Sequence, residues 1–320
     1  MSFIFANPWT SLAVLVIVGF FLFLLAKIFF KFDFVLWLRT LTIPWGDLHQ
    51  SRQNPTEDLL AAAARLTPKP STQTIGPNIL GYQKAFAPAF QPFDGFRPLT
   101  AALMQLWTEQ IEPNVISEPR PLLEKDKLKM HFIPYCMSLA VVNGVLMVYL
   151  YQRTKQVGEQ RLAGMKSIGI GGHCEAGNGV FNPRTGRYEA MDSILATLSI
   201  EYHEEITTGN YADHISLDSP FEVEMFEHVG FVSATDEVGQ VHLGLAFTNI
   251  VDPTAVDHYK VAEAELIDLG FHSLEALEAI REELEPWSQN CLDWLLQNQG
   301  AVTVSAYLAY GYEPGEEVAA

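Results

Sequence analysis

Two apolar, β-prone runs, residues 132–140 and 145–153, are joined by Val142-Asn143-Gly144, and no other short segment constrains the fold as much. Asn-Gly accepts the positive φ angles of a tight two-residue turn, so the runs are expected to pair as an antiparallel hairpin. Residues 229–234 and 241–251 form a second candidate hairpin, with its turn around 236–239. Between the hairpins, Met191, Ile194, Leu195, Leu198, Ile200, Tyr202 and Ile206 recur at near-helical spacing. Two closing helices are expected over 273–285 and 286–297, with Ser273 and Pro286 at plausible starts. Strands interspersed with helices indicate an α/β (α+β) fold with a mixed sheet, an α/β/α sandwich rather than a doubly wound parallel sheet.

The first sixty residues are of another kind. Residues 12–26 are uncharged and apolar, and Lys27 is followed by Ile28, Phe29 and Phe30. A helix over 12–30 rises ~1.5 Å per residue and approaches the ~30 Å hydrocarbon thickness, with Lys27 reaching toward the headgroups. The positive charges at Lys27, Lys31 and Arg39 follow the run. The expectation is a single transmembrane anchor within residues 1–39, its N-terminus outside and the rest of the chain on the cytoplasmic face of the membrane. Residues 40–117 are rich in proline and polar residues and read as a linker, with helices over 55–66 and 99–110. Residues 118–300 then form the folded domain, and 301–320 an acidic tail.

The 38 acidic residues against 20 basic ones give a net charge of −18. That field repels nucleic-acid backbones, so no nucleic-acid partner is expected. Cys136, Cys174 and Cys291 are too far apart for a CxxC pair, which excludes a zinc knuckle and a disulfide framework.

The chemistry concentrates in Ile200-Glu201-Tyr202-His203-Glu204-Glu205-Ile206. On a helix Glu201, Glu204 and Glu205 stand at i, i+3 and i+4, close enough to repel one another. A solvated face tolerates such crowding. A divalent cation would convert the repulsion into ligation, since Mg²⁺ favours oxygen ligands and shared substrate phosphates.

Residues 186–208 resemble the Nudix box, G-x5-E-x7-R-E-U-x-E-E-x-G-U, without a gap. Gly186 stands at the opening glycine, Glu201 at the glutamate of the RE pair, and Glu204 and Glu205 at the EE pair. Asp192 replaces the first glutamate, Ile200 the arginine and Thr207 the late glycine. The flanks, Ile133-Pro134-Tyr135, Arg161-Leu162, the SIGIGGH run 167–173, Val241-His242-Leu243-Gly244 and Glu285-Pro286-Trp287-Ser288, are similar to a bacterial and phage branch of predicted Nudix-type phosphoesterases.

The resemblance implies Mg²⁺ or Mn²⁺ held by Glu201, Glu204 and Glu205, and hydrolysis of a phosphoanhydride in a small molecule such as a nucleoside diphosphate derivative. Glu204, Glu263 or Glu265 could act as general base. Arg153 and Arg161 are candidate phosphate contacts, and Gly171, Gly172 and His173 candidate substrate-binding residues; solvated charges, turn glycines and a structural histidine are their alternatives. His242 is expected in the core and Trp287-Ser288 to anchor a helix. With Ile200 in place of the box arginine, and Arg187 as the nearest replacement, a nucleotide-binding module without turnover stands beside the hydrolase, and a structural membrane protein beside both. Specificity would lie in the loops 209–227 and 252–270; oligomeric state is open.

Overall fold

The computed structural model describes residues 76–154, 162–207, 226–237 and 239–310, all within Thr72–Ala320, the second of two compact units. The expected anchor over 12–30, the helix over 55–66, Arg161 and the acidic residues beyond 310 lie outside the described residues. In chain order the elements are β1 (Asn78–Gln83), β2 (Gly95–Pro98), α1 (Ala101–Leu106), β3 (Val115–Pro119), α2 (Arg120–Leu123), β4 (Lys129–Val142), β5 (Val145–Arg153), β6 (Lys166–Ser167), β7 (Gly169–Ile170), β8 (Phe181–Asn182), β9 (Arg187–Tyr188), α3 (Ala190–Glu205), β10 (Ile206–Thr207), β11 (Glu227–Ser233), β12 (His242–Ile250), β13 (Lys260–Val261), β14 (Leu266–Ser273), α4 (Leu274–Ala279) and α5 (Pro286–Ala309). Among the described residues no helix is long and apolar enough to cross a membrane.

One mixed sheet organises the domain, with the order β14-β5-β4-β12-β11-β2; β1 and β7 also pair with β4, β3 with β1, and β6 with β5. Both expected hairpins form, β4 with β5 and β11 with β12, each antiparallel. β4 and β12 run parallel, from His131 opposite His242 to Leu139 opposite Ile250. A fourteen-residue strand with partners on both edges must be apolar on both faces, and β4 is. Met130, Phe132, Cys136 and Ala140 enter one core with Ile194, Leu198 and Tyr202 of α3. Tyr135, Met137, Leu139 and Val141 enter the other with Leu274 and Leu277 of α4 and Cys291, Leu292 and Leu295 of α5. The period-2 alternation therefore builds two helix-covered faces, the expected mixed α/β sandwich.

Two boundaries differ from the sequence expectation. The stretch expected to be linker contributes β1, β2 and β3, which join the main sheet. Its prolines misled because they sit at strand ends or in short turns, as at Pro88, Pro98 and Pro119, where a missing N–H costs no ladder bond. Its aromatic residues Phe90, Phe93 and Trp107 are core. At the other end, α5 continues to Ala309, through much of the expected tail, because Ala306 and Tyr307 still have a core face to cover.

Asn143 and Gly144 have φ angles of 51° and 78°, both positive as a type I′ turn requires. Gly144→Ala is expected to cost ~1–2 kcal/mol, lowering Tm by roughly 2–8 °C. Gly177→Ala, at an open position without positive φ, should leave Tm unchanged. Equal losses in both variants, read by thermal melts, would remove the turn as the cause.

Candidate functional site

Helix α3 is held at both ends. Its first N–H groups, Ala190 and Met191, donate to the Glu112 carboxylate at 2.8 and 3.2 Å, which also accepts from Trp107 Nε1 at 2.7 Å. A carboxylate there suits the positive end of the helix dipole. Asp192, in the first turn, is exposed and does not cap it. Near the C-terminal end, the Tyr202 hydroxyl accepts from Asn249 Nδ2 at 2.9 Å and contacts Tyr259, whose hydroxyl lies 2.5 Å from Ser138 Oγ. This buried polar network ties α3 to β4 and β12 and fixes the helix rotation. With Tyr202 inward, Glu201 and Glu205 flank the buried face, whereas Glu204 turns to solvent.

Glu201 packs against Gly172, where a Cβ would stand 2.2 Å from Glu201 Oε1. Gly171 likewise has no room for a side chain, since its Cβ would meet the Pro134 carbonyl oxygen at 1.8 Å. The two glycines thus allow the segment after β7 to approach both β4 and α3. Burial, then Glu204, Glu263 and Glu175, push the Glu201 carboxyl up to about 7. Burial also raises Glu205, to about 8, against the opposing field of Arg153 and with further upward push from Glu201, Glu263 and Glu204. Glu205 Oε2 is buried without a hydrogen-bond partner. A desolvated group short of positive charge retains its proton, which is the physical content of both shifts.

Arg153, at the end of β5, faces this pair. Its Nη2 lies 3.3 Å from the Tyr151 hydroxyl and its Nε 3.8 Å from Glu285 Oε2. Its pKa is held above the usual range by Tyr151, then Glu285 and Glu205. Burial raises Tyr151 in turn and keeps it neutral, so Glu285 is the charge that faces Arg153, joined by Glu205 once that carboxyl loses its proton. Arg187, the one candidate stand-in for the box arginine, is exposed on β9. The positive field on Glu205 comes instead from Arg153 of β5.

Beside the glutamates opens a cleft of about 250 Å³, lined by Arg120, Arg153, Gly171, Gly172, His173 and His242, with Tyr135, Asp236, Glu285 and Trp287 among the other residues. The fold thus gathers four of the sequence candidates, Arg153, Gly171, Gly172 and His173, into one cavity. Glu201, Glu204 and Glu205 are not part of its lining; Gly172 and Arg153 connect cleft and carboxylates. Glu263, one of the two candidate loop acids, contributes to the field on both buried glutamates. Sequence reasoning missed Arg120, Glu124 and Glu285. Tyr135 and Glu285 stood within the recognised flanking segments, but only the fold brings the Tyr135 hydroxyl to 2.8 Å from Glu285 Oε1. His242 is buried, as expected, and also lines the cleft.

No protein-family model matches the chain, and no curated protein does. Solved structures do resemble it. Tm1382, a presumed Nudix hydrolase, shares 24% identity over 69% of this chain and 98% of its own, with a TM-score of 0.48. A Nudix hydrolase from Alicyclobacillus acidocaldarius shares 12% identity over 51% and 90% of the two chains, with a TM-score of 0.37. The Nudix domain of Shewanella oneidensis NrtR, solved with ADP ribose, shares 14% over 54% and 88%, with a TM-score of 0.33. Likenesses of this strength leave the activity to be argued from the site itself.

The raised carboxyls make the metal-free protein sensitive to alkali. Glu201 and Glu205 keep protons up to about 7 and 8 when folded, but release them near ~4.3 when unfolded. Between those values the folded state binds more protons, so this contribution to stability falls as pH rises from ~5 to ~8. In chelator, Glu205→Gln is expected to flatten the decline and gain about 2 kcal/mol at pH 8. Thermal melts of both proteins from pH 5 to 9 test it; parallel curves would remove Glu205 as the titrating group.

Proposed function

We propose that the chain is a metal-dependent hydrolase of the Nudix type, cleaving a phosphoanhydride bond in a small phosphorylated compound such as a nucleoside diphosphate derivative. The observation that carries the reading is the desolvated pair Glu201 and Glu205 on the last turn of α3, with an unpartnered oxygen on Glu205, beside an arginine-lined cleft. Gapless spacing of these glutamates from Gly186 supports it further.

The residues fit a hard divalent cation. Two crowded carboxyls raised for want of positive charge, one with a free buried oxygen, are an oxygen donor set of the kind Mg²⁺ or Mn²⁺ takes. Glu201 and Glu205 would be the principal ligands and exposed Glu204 a support through water. When bound, the ion supplies positive charge for phosphoryl oxygens and lowers the pKa of a water.

The chain's own residues account for the remaining tasks. Arg120 and Arg153 place positive charge on the cleft wall, where a guanidinium can take a phosphate through two N–H groups. Arg153, facing both Glu205 and Glu285, does for the glutamates what the box arginine would do in the resembling family. Gly171 and Gly172 keep the wall thin between cleft and carboxylates. Residues 12–30 would anchor the enzyme in the cytoplasmic membrane, with the site on the cytoplasmic side.

The test follows phosphate and pyrophosphate release by the full chain from a panel of nucleoside diphosphate derivatives, with Mg²⁺ or Mn²⁺ titrated in. Release should require metal and fall by ~100-fold or more in Glu205→Gln. Arg153→Met should lose roughly 10–100-fold, as supporting residues of metal sites do, with partial recovery in Arg153→Lys. Unchanged release by Glu205→Gln would overturn the assignment. Metal-dependent binding of a panel member without release would favour the sensor reading.

A further inference from the structure

Three histidines far apart in sequence meet beside the cleft, two of them in its lining. His131 starts the parallel ladder of β4 with β12, directly opposite His242. His173 follows the Gly171-Gly172 strap. One ring nitrogen of each lies within 4.8 Å of the others. The ring centroids of His131 stand 5.0 Å from those of His173 and 3.9 Å from those of His242, and His173 and His242 are 5.6 Å apart. His131 is fully buried, and neither of its ring nitrogens has a hydrogen-bond partner. A buried polar atom without a partner is costly, so the arrangement calls for a ligand.

We propose that His131, His173 and His242 bind a divalent transition-metal ion of the zinc class, at a site separate from the carboxylates of α3. Three neutral imidazoles are a donor set for zinc, cobalt or nickel, and a poor one for magnesium, which prefers oxygen. Nitrogens on one tetrahedral ion stand ~3.3 Å apart, so the rings must turn to bring in nitrogens that now lie within 4.8 Å of one another. An ion would also give one His131 nitrogen the partner it lacks. Glu124, whose Oε1 is 3.6 Å from His173 Nε2, stands beside the cluster and outside it, so water takes the fourth position. Glu124 also offsets the nearby charge of Arg120 through a 2.7 Å ion pair. Burial holds His131 and His173 below the usual imidazole range, His173 at about 3, so both lone pairs are free at neutral pH. His173 and His242 line the cleft, which gives the ion a route in.

The inference does not depend on the proposed hydrolase activity, and its test reads binding alone. The full chain is stripped with chelator and titrated with Zn²⁺ by calorimetry, and with Co²⁺ by visible absorption. One tight equivalent of Zn²⁺, ahead of the weaker binding at the glutamates, and the intense visible bands of tetrahedral, nitrogen-ligated Co²⁺ are expected. His173→Ala, the least buried of the three, should weaken Zn²⁺ binding by at least ~100-fold, since even outer-shell changes cost ~10–100-fold. Glu201→Gln/Glu205→Gln should retain the tight Zn²⁺ equivalent unchanged. Absence of the tetrahedral Co²⁺ spectrum in the unmodified protein would overturn the proposal whatever the variants do. So would Zn²⁺ binding that the glutamate pair abolishes and His173→Ala leaves intact.

Discussion

The Glu285 carboxylate, 5% exposed, is the buried charge around which the cleft is assembled. Its Oε1 accepts from the Tyr135 hydroxyl at 2.8 Å and from Ser167 Oγ at 2.6 Å, and its Oε2 lies 3.8 Å from Arg153 Nε. A buried carboxylate left unpaired costs several kcal/mol, so each of these partners must be in place for the fold to form. Ser288, one turn into α5, lies 2.7 Å from the Tyr135 hydroxyl and accepts from the Ile168 N–H at 3.0 Å. The start of α5 is thereby fastened to β4 and to the β6–β7 segment. Those same residues form the cleft wall.

Arg153 links this hub to the glutamates of α3. It stands between Glu285 and Glu205, so the charge that neutralises the hub also faces the carboxylates. One arginine does not compensate three buried or half-buried acids, and Glu201 and Glu205 remain short of positive charge. The excess is local, not a reflection of the net charge of −18, because the groups responsible, Glu204, Glu263 and Glu175, are neighbours of the site. A site of this kind gains from a cation or from protonation, and which one prevails depends on pH and metal.

Legibility in the sequence followed the range of the interactions. The Asn143-Gly144 turn, the second hairpin and the helix over the glutamates were readable because each depends on residues a few positions apart. The three β-strands within the proline-rich stretch were not, since β1 and β2 are strands only because β3, β4 and β11 offer them partners. Within the site, the crowding of Glu201 and Glu205 followed from helical spacing, whereas the outward turn of Glu204 followed from the Tyr202 network. Arg153 was a candidate for phosphate alone; its position against Glu205 came from the pairing of β5 with β4. Glu124 and His131 carried no local signal of a site.

The sequence by itself determined the elements and their chemistry: where the chain turns, which faces are apolar, and that three acids share one helical turn. Those properties depend on backbone geometry and side-chain spacing over a few residues. The tertiary structure decided which charges meet. His131 and His242 are neighbours only through the register of two parallel strands, and Glu285 reaches Tyr135 across 150 residues of chain. Such encounters follow from closing long loops around two cores, which no local pattern encodes.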